Sequence, residues 1–176
     1  VQQRTKRTVQ AERWQHRFQQ FTAIRYMTEQ FSQQFASYVE SVDWKQTSTQ
    51  ELETAKLAIL DFLGTALAGI GEGPNQALWD RISQTSGDEA SIIGKPEKTT
   101  SWLAALMNGT LGHCLDYDDT AELGHASVII VPALLASAER GGCKGSKLLE
   151  GYIAAYEVGF ALSSVTKRGD DQHHGM

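Results

Sequence analysis

The sequence predicts an all-α fold. Apolar residues recur at three- and four-residue steps over most of the 176-residue chain, which is the spacing of one face of an α-helix. There are only three prolines, and capping residues stand directly before several of the periodic segments. With 41% hydrophobic and 21% charged residues, the chain has enough apolar material to build one globular domain.

The first predicted helix begins near Thr28, and a second begins after Ser48. Ser48 and Glu51, three residues apart, form a capping box, and Gly69 is placed to end the second helix. Asn75 is expected to cap a short third helix. The predicted apolar faces of the three helices comprise Phe31, Phe35, Tyr38, Val39 and Val42, then Leu52, Ala55, Ile59, Leu63 and Leu67, and finally Leu78, Trp79 and Ile82.

Three further helices follow a connector over residues 87–96. Thr100 or Ser101 opens the fourth helix, which runs to about Leu115, and Pro132 fits the first turn of a fifth that ends near Arg140. One side of the fourth helix is small enough for a neighbouring backbone to approach, because it comprises Ala104, Ala105, Gly109 and Gly112. Ser146 is expected to cap the last helix. Its predicted buried face comprises Leu149, Tyr152, Ile153, Tyr156 and Phe160.

The net charge of −5 is unevenly distributed. Residues 1–26 carry six basic side chains and one acid, a net of +5, so the other 150 residues carry −10. An acidic body argues against a nucleic-acid partner, which requires a basic face. The apolar runs are short and are interrupted by polar residues, so we expect no membrane partner. Cys114 and Cys143 stand in no paired or metal-binding spacing, which favours a reducing compartment. Cys114 is expected to be a buried small apolar residue, because no cationic neighbour in the sequence would activate its thiolate.

Residues 1–26 are rich in Gln and Arg and have no continuous apolar face. Three interpretations stay open: a translated leader upstream of a start at Met27, an Arg-rich targeting segment, or a mobile basic tail. We favour the leader, with the folded domain covering residues 27–176. The expected location is the cytoplasm, or the mitochondrion if the segment is a targeting sequence.

The segment between the fourth and fifth helices carries the residues best suited to chemistry. Asp116, Asp118 and Asp119 lie within four residues of one another, with His113 before them and His125 after them. Loops held by rigid helices are common sites of catalysis, and crowded carboxylates beside a histidine suit proton transfer near neutral pH. In the plainer interpretation, these acids are solvated or capping residues and His113 is a packed or surface residue.

Two acidic motifs of helical enzymes, one metal-binding and one proton-donating, have the same form as parts of this segment. The pattern Asp118-Asp119-x-x-Glu122 is that of the magnesium–diphosphate motif of helical isoprenoid synthases, and Asp116-x-Asp118-Asp119 is that of protonating terpene cyclases. A synthase also needs a second acidic cluster and basic residues for diphosphate, which the downstream helices do not clearly supply. We therefore expect neither a metal ion nor another cofactor.

The order of several motifs resembles the MmgE/PrpD family. The motif helix LAALMNGTLGHCLDYDDT is followed by GHAS and then by VIIVPALLASAERGGCKGSKLLEGYIAAYEVG. Upstream, AKLAILDFLGTALAG is similar to the family's first long helix and ASIIGKPEKTTSWLAAL to its connector. The resemblance extends from about Met27 to the end of the chain.

The resemblance implies a large helical domain, built from both ends of a longer chain, and a smaller α+β lid that this chain stops short of. Known family activities are 2-methylcitrate dehydration, cis-aconitate decarboxylation and iminodisuccinate epimerisation, which act on small polycarboxylic acids without a cofactor. Asp116 and His125 match catalytic positions, Thr120 matches a substrate-binding position, and His174 weakly matches another. The resemblance also implies a homodimer in the complete enzyme.

Two departures from the family pattern affect His125. Ala126 replaces the common proline of the His-Pro-Ser step, and the loop from Thr120 to His125 is one residue shorter than in some members. The family's catalytic lysine and basic substrate-binding residues are expected beyond Met176. We therefore predict a fragment of a lyase or isomerase that is inactive alone, with 2-methylcitrate dehydratase-like activity as the leading hypothesis for the complete enzyme. The alternative is a non-catalytic helical interaction module.

Overall fold

The predicted all-helical fold is confirmed. A computed structural model describes residues 31–121 and 123–165, and 69% of these residues are helical. The six α-helices are α1 (Phe31–Ser41), α2 (Thr49–Ala68), α3 (Gly73–Ile82), α4 (Ser101–His113), α5 (Ser127–Gly141) and α6 (Gly145–Val165). The strands β1 (Ala90–Ser91) and β2 (Lys98–Thr99) pair antiparallel. The interpretations of residues 1–26, the start at Met27 and the site residue His174 lie outside the described residues.

Helix α2 is the central helix and packs against α4, α5 and α6. The predicted capping box is present, because Ser48 accepts the backbone N–H of Glu51 while the Glu51 carboxylate accepts that of Ser48. The helix ends at Gly69, as predicted, and continues through a 3-10 turn. Its buried face is rotated by one residue from the predicted apolar face. Phe62 and Ala66 are buried, whereas Leu67, predicted to be buried, is 55% exposed.

The opposite face of α2 is also apolar. Leu57, Leu60 and Leu67 are more than half exposed and stand at helical spacing along one side. Within the described residues, Thr49–Gly71 is the one helical stretch that is long and apolar enough to cross a membrane, with a mean hydropathy of 1.3. Core helices of globular proteins can be equally long and apolar, and the inner face of α2 belongs to the core of this domain.

Helix α4 lies between α2 and α5 and approaches both closely, as its small residues predict. A Cβ atom on Gly112 would overlap the buried Phe62 ring of α2, and one on Gly109 would lie 3.0 Å from the Val128 carbonyl oxygen of α5. The N-terminus of α4 is capped by a side chain from an earlier part of the sequence. The Ser101 N–H donates to the Glu89 carboxylate at 2.8 Å, whereas the Thr100 side chain makes no capping hydrogen bond.

Three predicted helix starts are wrong, each for a local reason. Helix α3 begins before Asn75, whose buried amide donates to the Gly69 carbonyl oxygen at 2.7 Å instead of capping. Helix α5 begins at Ser127, so Pro132 lies inside it, where the missing N–H leaves the Val128 carbonyl beside Gly109 without its helical partner. Helix α6 begins at Gly145, so Ser146 stands within its first turn.

Two further side chains differ from their predicted burial. Val39, predicted to lie on the buried face of α1, is 46% exposed. Cys114, expected to be a small apolar residue, is only half-buried and accepts a hydrogen bond from the Asn75 amide at 3.1 Å. Both differences arise because neighbouring helices, which a single helical pattern does not specify, decide which side is covered.

The short hairpin between α3 and α4 is fastened to α5 by Glu139. Its carboxylate accepts the Ser91 N–H at 3.1 Å and the Ser91 hydroxyl at 2.7 Å, and the Lys98 ammonium donates to it at 3.1 Å. Partial burial raises the pKa of Glu139, but these hydrogen bonds from Ser91 and Lys98 together hold it below its ordinary value. The ionised carboxylate is therefore the form that ties the hairpin down.

We predict that Glu139→Gln lowers the free energy of unfolding by about 1 kcal/mol near neutral pH. A folded-state pKa below the unfolded one contributes stability that is present above the ordinary carboxyl pKa and is lost as pH falls through the lowered value. The difference between variant and wild type should therefore shrink below about pH 4. Denaturant melts at a series of pH values measure it.

The matched control is Glu53→Gln. Glu53 is an exposed residue whose ion pair with Lys56 lies within one turn of α2, so its removal should change stability little at any pH. An equal loss of stability for Glu139→Gln at pH 3 and pH 7 would contradict the role assigned to its charge.

Candidate active site

The loop between α4 and α5 begins with a sharp reversal. The Asp116 N–H donates to the His113 carbonyl oxygen at 2.9 Å, and Asp116 has a positive φ of 54°. It is the one residue other than glycine with positive φ among those described. Aspartate tolerates this left-handed conformation better than most residues. The turn leaves the Asp116 side chain 77% exposed at the surface of the loop.

Asp118 lies at the centre of the loop and its side chain is only 1% exposed. One carboxylate oxygen lies 3.0 Å from His113 Nδ1, and the other lies 2.9 Å from His125 Nδ1. An ionised carboxylate can only accept, so both imidazoles then donate from Nδ1, and a neutral ring so held carries its lone pair on Nε2. The two rings meet edge to face, with centroids 4.7 Å apart. Asp118 thus sets the orientation and tautomer of both histidines.

The predicted catalytic pair, Asp116 and His125, is brought together in the structure. His125 Nε2 lies 3.9 Å from Asp116 Oδ1, on the side of the ring that points away from Asp118. The His125 side chain is 36% exposed. A reactant at the surface of the loop can therefore reach a histidine lone pair and a carboxylate at the same time.

Asp119 holds the other end of the loop to the start of α5. It accepts the Ser127 N–H and the Ser127 hydroxyl, each at 3.0 Å, and Ser127 Oγ lies 2.9 Å from the Tyr152 hydroxyl of α6. Because the Ser127 proton is committed to Asp119, Tyr152 is the donor to Ser127. A carboxylate at a helix N-terminus is also favoured by the helix dipole.

Two phenols lie at this end of the loop: Tyr152 is buried and hydrogen-bonded to Ser127, and Tyr156 is half-buried with its ring 6.0 Å from that of Tyr152. Burial, together with the negative charge of Asp119, raises the pKa of Tyr152 well above its ordinary value; the Ser127 hydrogen bond opposes this effect. Burial and the Asp119 charge likewise raise the pKa of Tyr156 to about 12. Both phenols therefore keep their protons at neutral pH, and Tyr152 remains a hydrogen-bond donor.

The other predicted site residues have different outcomes. Thr120 is exposed in the same loop, where a ligand can reach its hydroxyl. His174 lies outside the described residues, so its role stays a prediction. The two most informative contacts, from Asp118 to His113 and to His125, were not predicted. Their signal in the sequence is weak, because a spacing of five and seven residues within a loop has no regular period.

The magnesium–diphosphate interpretation requires Asp118 and Asp119 to face a ligand together. In the structure, both oxygens of Asp118 contact histidine rings, and both oxygens of Asp119 accept from Ser127. Glu122, the third member of that motif, lies outside the described residues. The geometry of the two aspartates therefore disfavours an isoprenoid-synthase site.

No solved structure matches the chain. The family model described as the MmgE/PrpD N-terminal domain matches residues 33–176, which is more than half of the chain. The matched range contains nearly all of α1, every later helix and the whole loop that carries Asp116, Asp118 and His125. The protein therefore belongs to the MmgE/PrpD family, and residues 33–176 represent the N-terminal domain of that family.

Proposed function

We propose that this domain is the N-terminal part of a lyase that transfers a proton at a carbon next to a carboxylate of a small polycarboxylic acid. A 2-methylcitrate dehydratase-like reaction is the leading candidate. The observation that carries the proposal is the arrangement of His125. Its Nδ1 contacts buried Asp118 at 2.9 Å, and its Nε2 lies 3.9 Å from exposed Asp116.

The geometry suits a histidine base oriented by a carboxylate. Asp118 favours the tautomer in which His125 Nε2 carries a lone pair, so this atom can take a proton from a bound acid and return it. Asp116 on the same open side can assist the transfer, and the exposed Thr120 hydroxyl can hold a substrate carboxylate. No step of this scheme needs a metal ion or an organic cofactor.

The reaction also needs positive charge opposite the carbanion-like transition state. Within the described residues, the ion-pair partners of Asp116 and Asp118 are the two histidines alone, with no lysine or arginine in reach. We propose that the missing cations come from a further part of the enzyme, together with a lid over the site. The enzyme is proposed to be a cytoplasmic homodimer.

The second candidate is a non-catalytic helical module. The exposed stripe on α2 formed by Leu57, Leu60 and Leu67 favours it, because contiguous apolar surface of this kind marks a contact site. The same stripe is also what a helical domain completed by further chain would leave uncovered. Turnover separates the two candidates, since only the lyase requires the loop residues.

We predict that Asp116→Ala and His125→Ala each reduce kcat of the complete enzyme by about 10²-fold or more. The Asp116 side chain is 77% exposed, so its loss should leave folding intact. The His125 side chain is 36% exposed and contacts buried Asp118, so circular dichroism checks the fold of that variant. Asp80→Ala, an exposed aspartate of α3, serves as the control and should keep normal turnover. Near-normal rates for both loop variants on the identified substrate would exclude these roles.

We predict that Asp118→Asn also reduces kcat by about 10²-fold or more, with a smaller change in KM. The amide offers one acceptor oxygen, so only one of the two rings can keep its Nδ1–H donor arrangement. Nitrogen chemical shifts of the imidazole rings in the 176-residue chain report the tautomers directly. Unchanged ring tautomers in a folded Asp118→Asn variant would show that Asp118 does not orient the histidines.

We predict that the 176-residue chain alone turns over neither 2-methylcitrate nor cis-aconitate and that it self-associates. Among residues 31–121 and 123–165, no lysine or arginine pairs with Asp116 or Asp118, and the α2 stripe is open to a second molecule. Light scattering should give a mass above that of the monomer. Leu57→Glu with Leu60→Glu should lower this mass, whereas Val39→Glu on α1 should not.

One combined result for this chain would contradict the prediction. A monodisperse monomer that converts either acid at an ordinary enzymatic rate would show that the site needs no further part of the enzyme. Two proposals would then be wrong: that the cations of the site come from a further part of the enzyme, and that further protein covers the exposed face of α2.

A further inference from the structure

The loop brings together four side chains of metal-binding type, of which His113, Asp116 and His125 are the proposed ligands and Asp118 supports the two histidines. His113, Asp116, Asp118 and His125 each offer a nitrogen or oxygen atom within 4.8 Å of the others. They come from the end of α4, from the loop and from the residues before α5, so the packing of the helices holds them together. We propose that this cluster is a binding site for a divalent transition-metal ion of the zinc class.

Both histidines already contact a carboxylate through one ring nitrogen, as histidines that bind a metal usually do. Such a histidine usually donates one ring N–H to a carboxylate and directs its other nitrogen at the ion. Here Asp118 contacts both Nδ1 atoms, at 3.0 and 2.9 Å, and leaves both Nε2 atoms available. Asp118, which is buried, is therefore proposed to hold both rings by their Nδ1 atoms, with the ion bound at Nε2.

Asp116 is the third ligand of the proposed site. Its Oδ1 lies 3.9 Å from His125 Nε2, whereas two ligands of a tetrahedral zinc ion lie about 3.3 Å apart. The Asp116 side chain is 77% exposed, so a small rotation about its own bonds closes this difference. The 48% exposure of the His113 side chain keeps the cluster open to solvent, which leaves a fourth position for water or a ligand.

The chemistry of the donor set selects the class of metal. Imidazole nitrogen suits zinc, copper, iron and nickel, whereas magnesium and calcium prefer a shell of oxygen atoms. Two carboxylates stand in the cluster, and within the described residues neither has a lysine or arginine partner. A divalent cation bound by the two neutral imidazoles supplies positive charge beside these carboxylates.

Metal binding has a consequence for the proposed activity. On the proposed function, His125 uses its Nε2 lone pair to accept a proton, and the metal occupies the same lone pair. A bound ion therefore blocks proton transfer, so zinc is expected to inhibit the complete enzyme and a chelator to restore it. This consequence rests on the proposed function, whereas metal binding itself does not.

The test is calorimetric titration of the 176-residue chain with zinc chloride, with magnesium chloride in parallel. We expect one zinc per chain and no binding of magnesium. His125→Ala and His113→Ala should each weaken zinc binding by about 10-fold or more, and Asp118→Asn by about 10- to 100-fold. His113 is exposed, so its variant should fold normally, and circular dichroism checks each protein.

The chain offers matched controls for adventitious zinc. Cys143→Ser removes the exposed thiol, and the double variant His173→Ala with His174→Ala removes two other histidines. Both controls should bind zinc as the wild type does. The proposal is wrong if wild type binds no zinc, or if binding survives His113→Ala and His125→Ala but is lost in a control.

The titration needs no substrate, so its failure leaves the proton-transfer proposal standing. Conversely, normal turnover of His125→Ala in the complete enzyme would reject proton transfer without touching zinc binding. Cobalt(II) in place of zinc adds a direct view of the site. Its visible absorption should appear in the wild-type chain and in both controls, and should be lost with His125→Ala.

Discussion

Close contact between α4 and its two neighbours determines where every later part of the domain lies. Gly112 leaves room for the buried ring of Phe62 on α2, and Gly109 leaves room for the Val128 carbonyl of α5. A Cβ atom on Gly69, at the end of α2, would overlap the Leu111 carbonyl of α4. Because α4 is held from both sides, its last residue, His113, and the first residue of α5, Ser127, are fixed relative to each other. The loop over residues 114–126 then has two anchored ends.

Within that loop, three neighbouring carboxylates have three different environments. Asp118 is buried between two imidazoles, Asp119 is bound to the start of α5, and Asp116 is directed outward by a left-handed turn. Asp118 and Asp119 thus hold the histidines and the end of the loop in place, whereas the carboxylate of Asp116 remains available to a reactant or an ion. The same arrangement suits proton transfer and metal binding, because both require a histidine lone pair held in one direction.

The apolar surface of α2 places the domain in a larger context. One face forms the core through Phe62 and Ala66, and the other exposes Leu57, Leu60 and Leu67. A helix that is apolar all round is normally covered on both sides. In the part of the chain that the structure describes, Asp116 and Asp118 form ion pairs with histidines and with no lysine or arginine. This observation and the apolar surface of α2 lead to the same proposal, in which further protein completes both the packing and the charge of the site.

The sequence by itself determined the helical fold, the capping box of Ser48 and Glu51, the close approach of α4 and the family resemblance, because each is a local or periodic pattern. The pairing of Asp116 with His125 followed from that resemblance. The tertiary structure alone decided the burial of Phe62 instead of Leu67, the position of Pro132 inside α5 and the link between Asp118 and both histidines. These features depend on which neighbouring helix covers a side chain and on the path of an irregular loop. Neither has a period along the chain, so they emerge only when the helices pack.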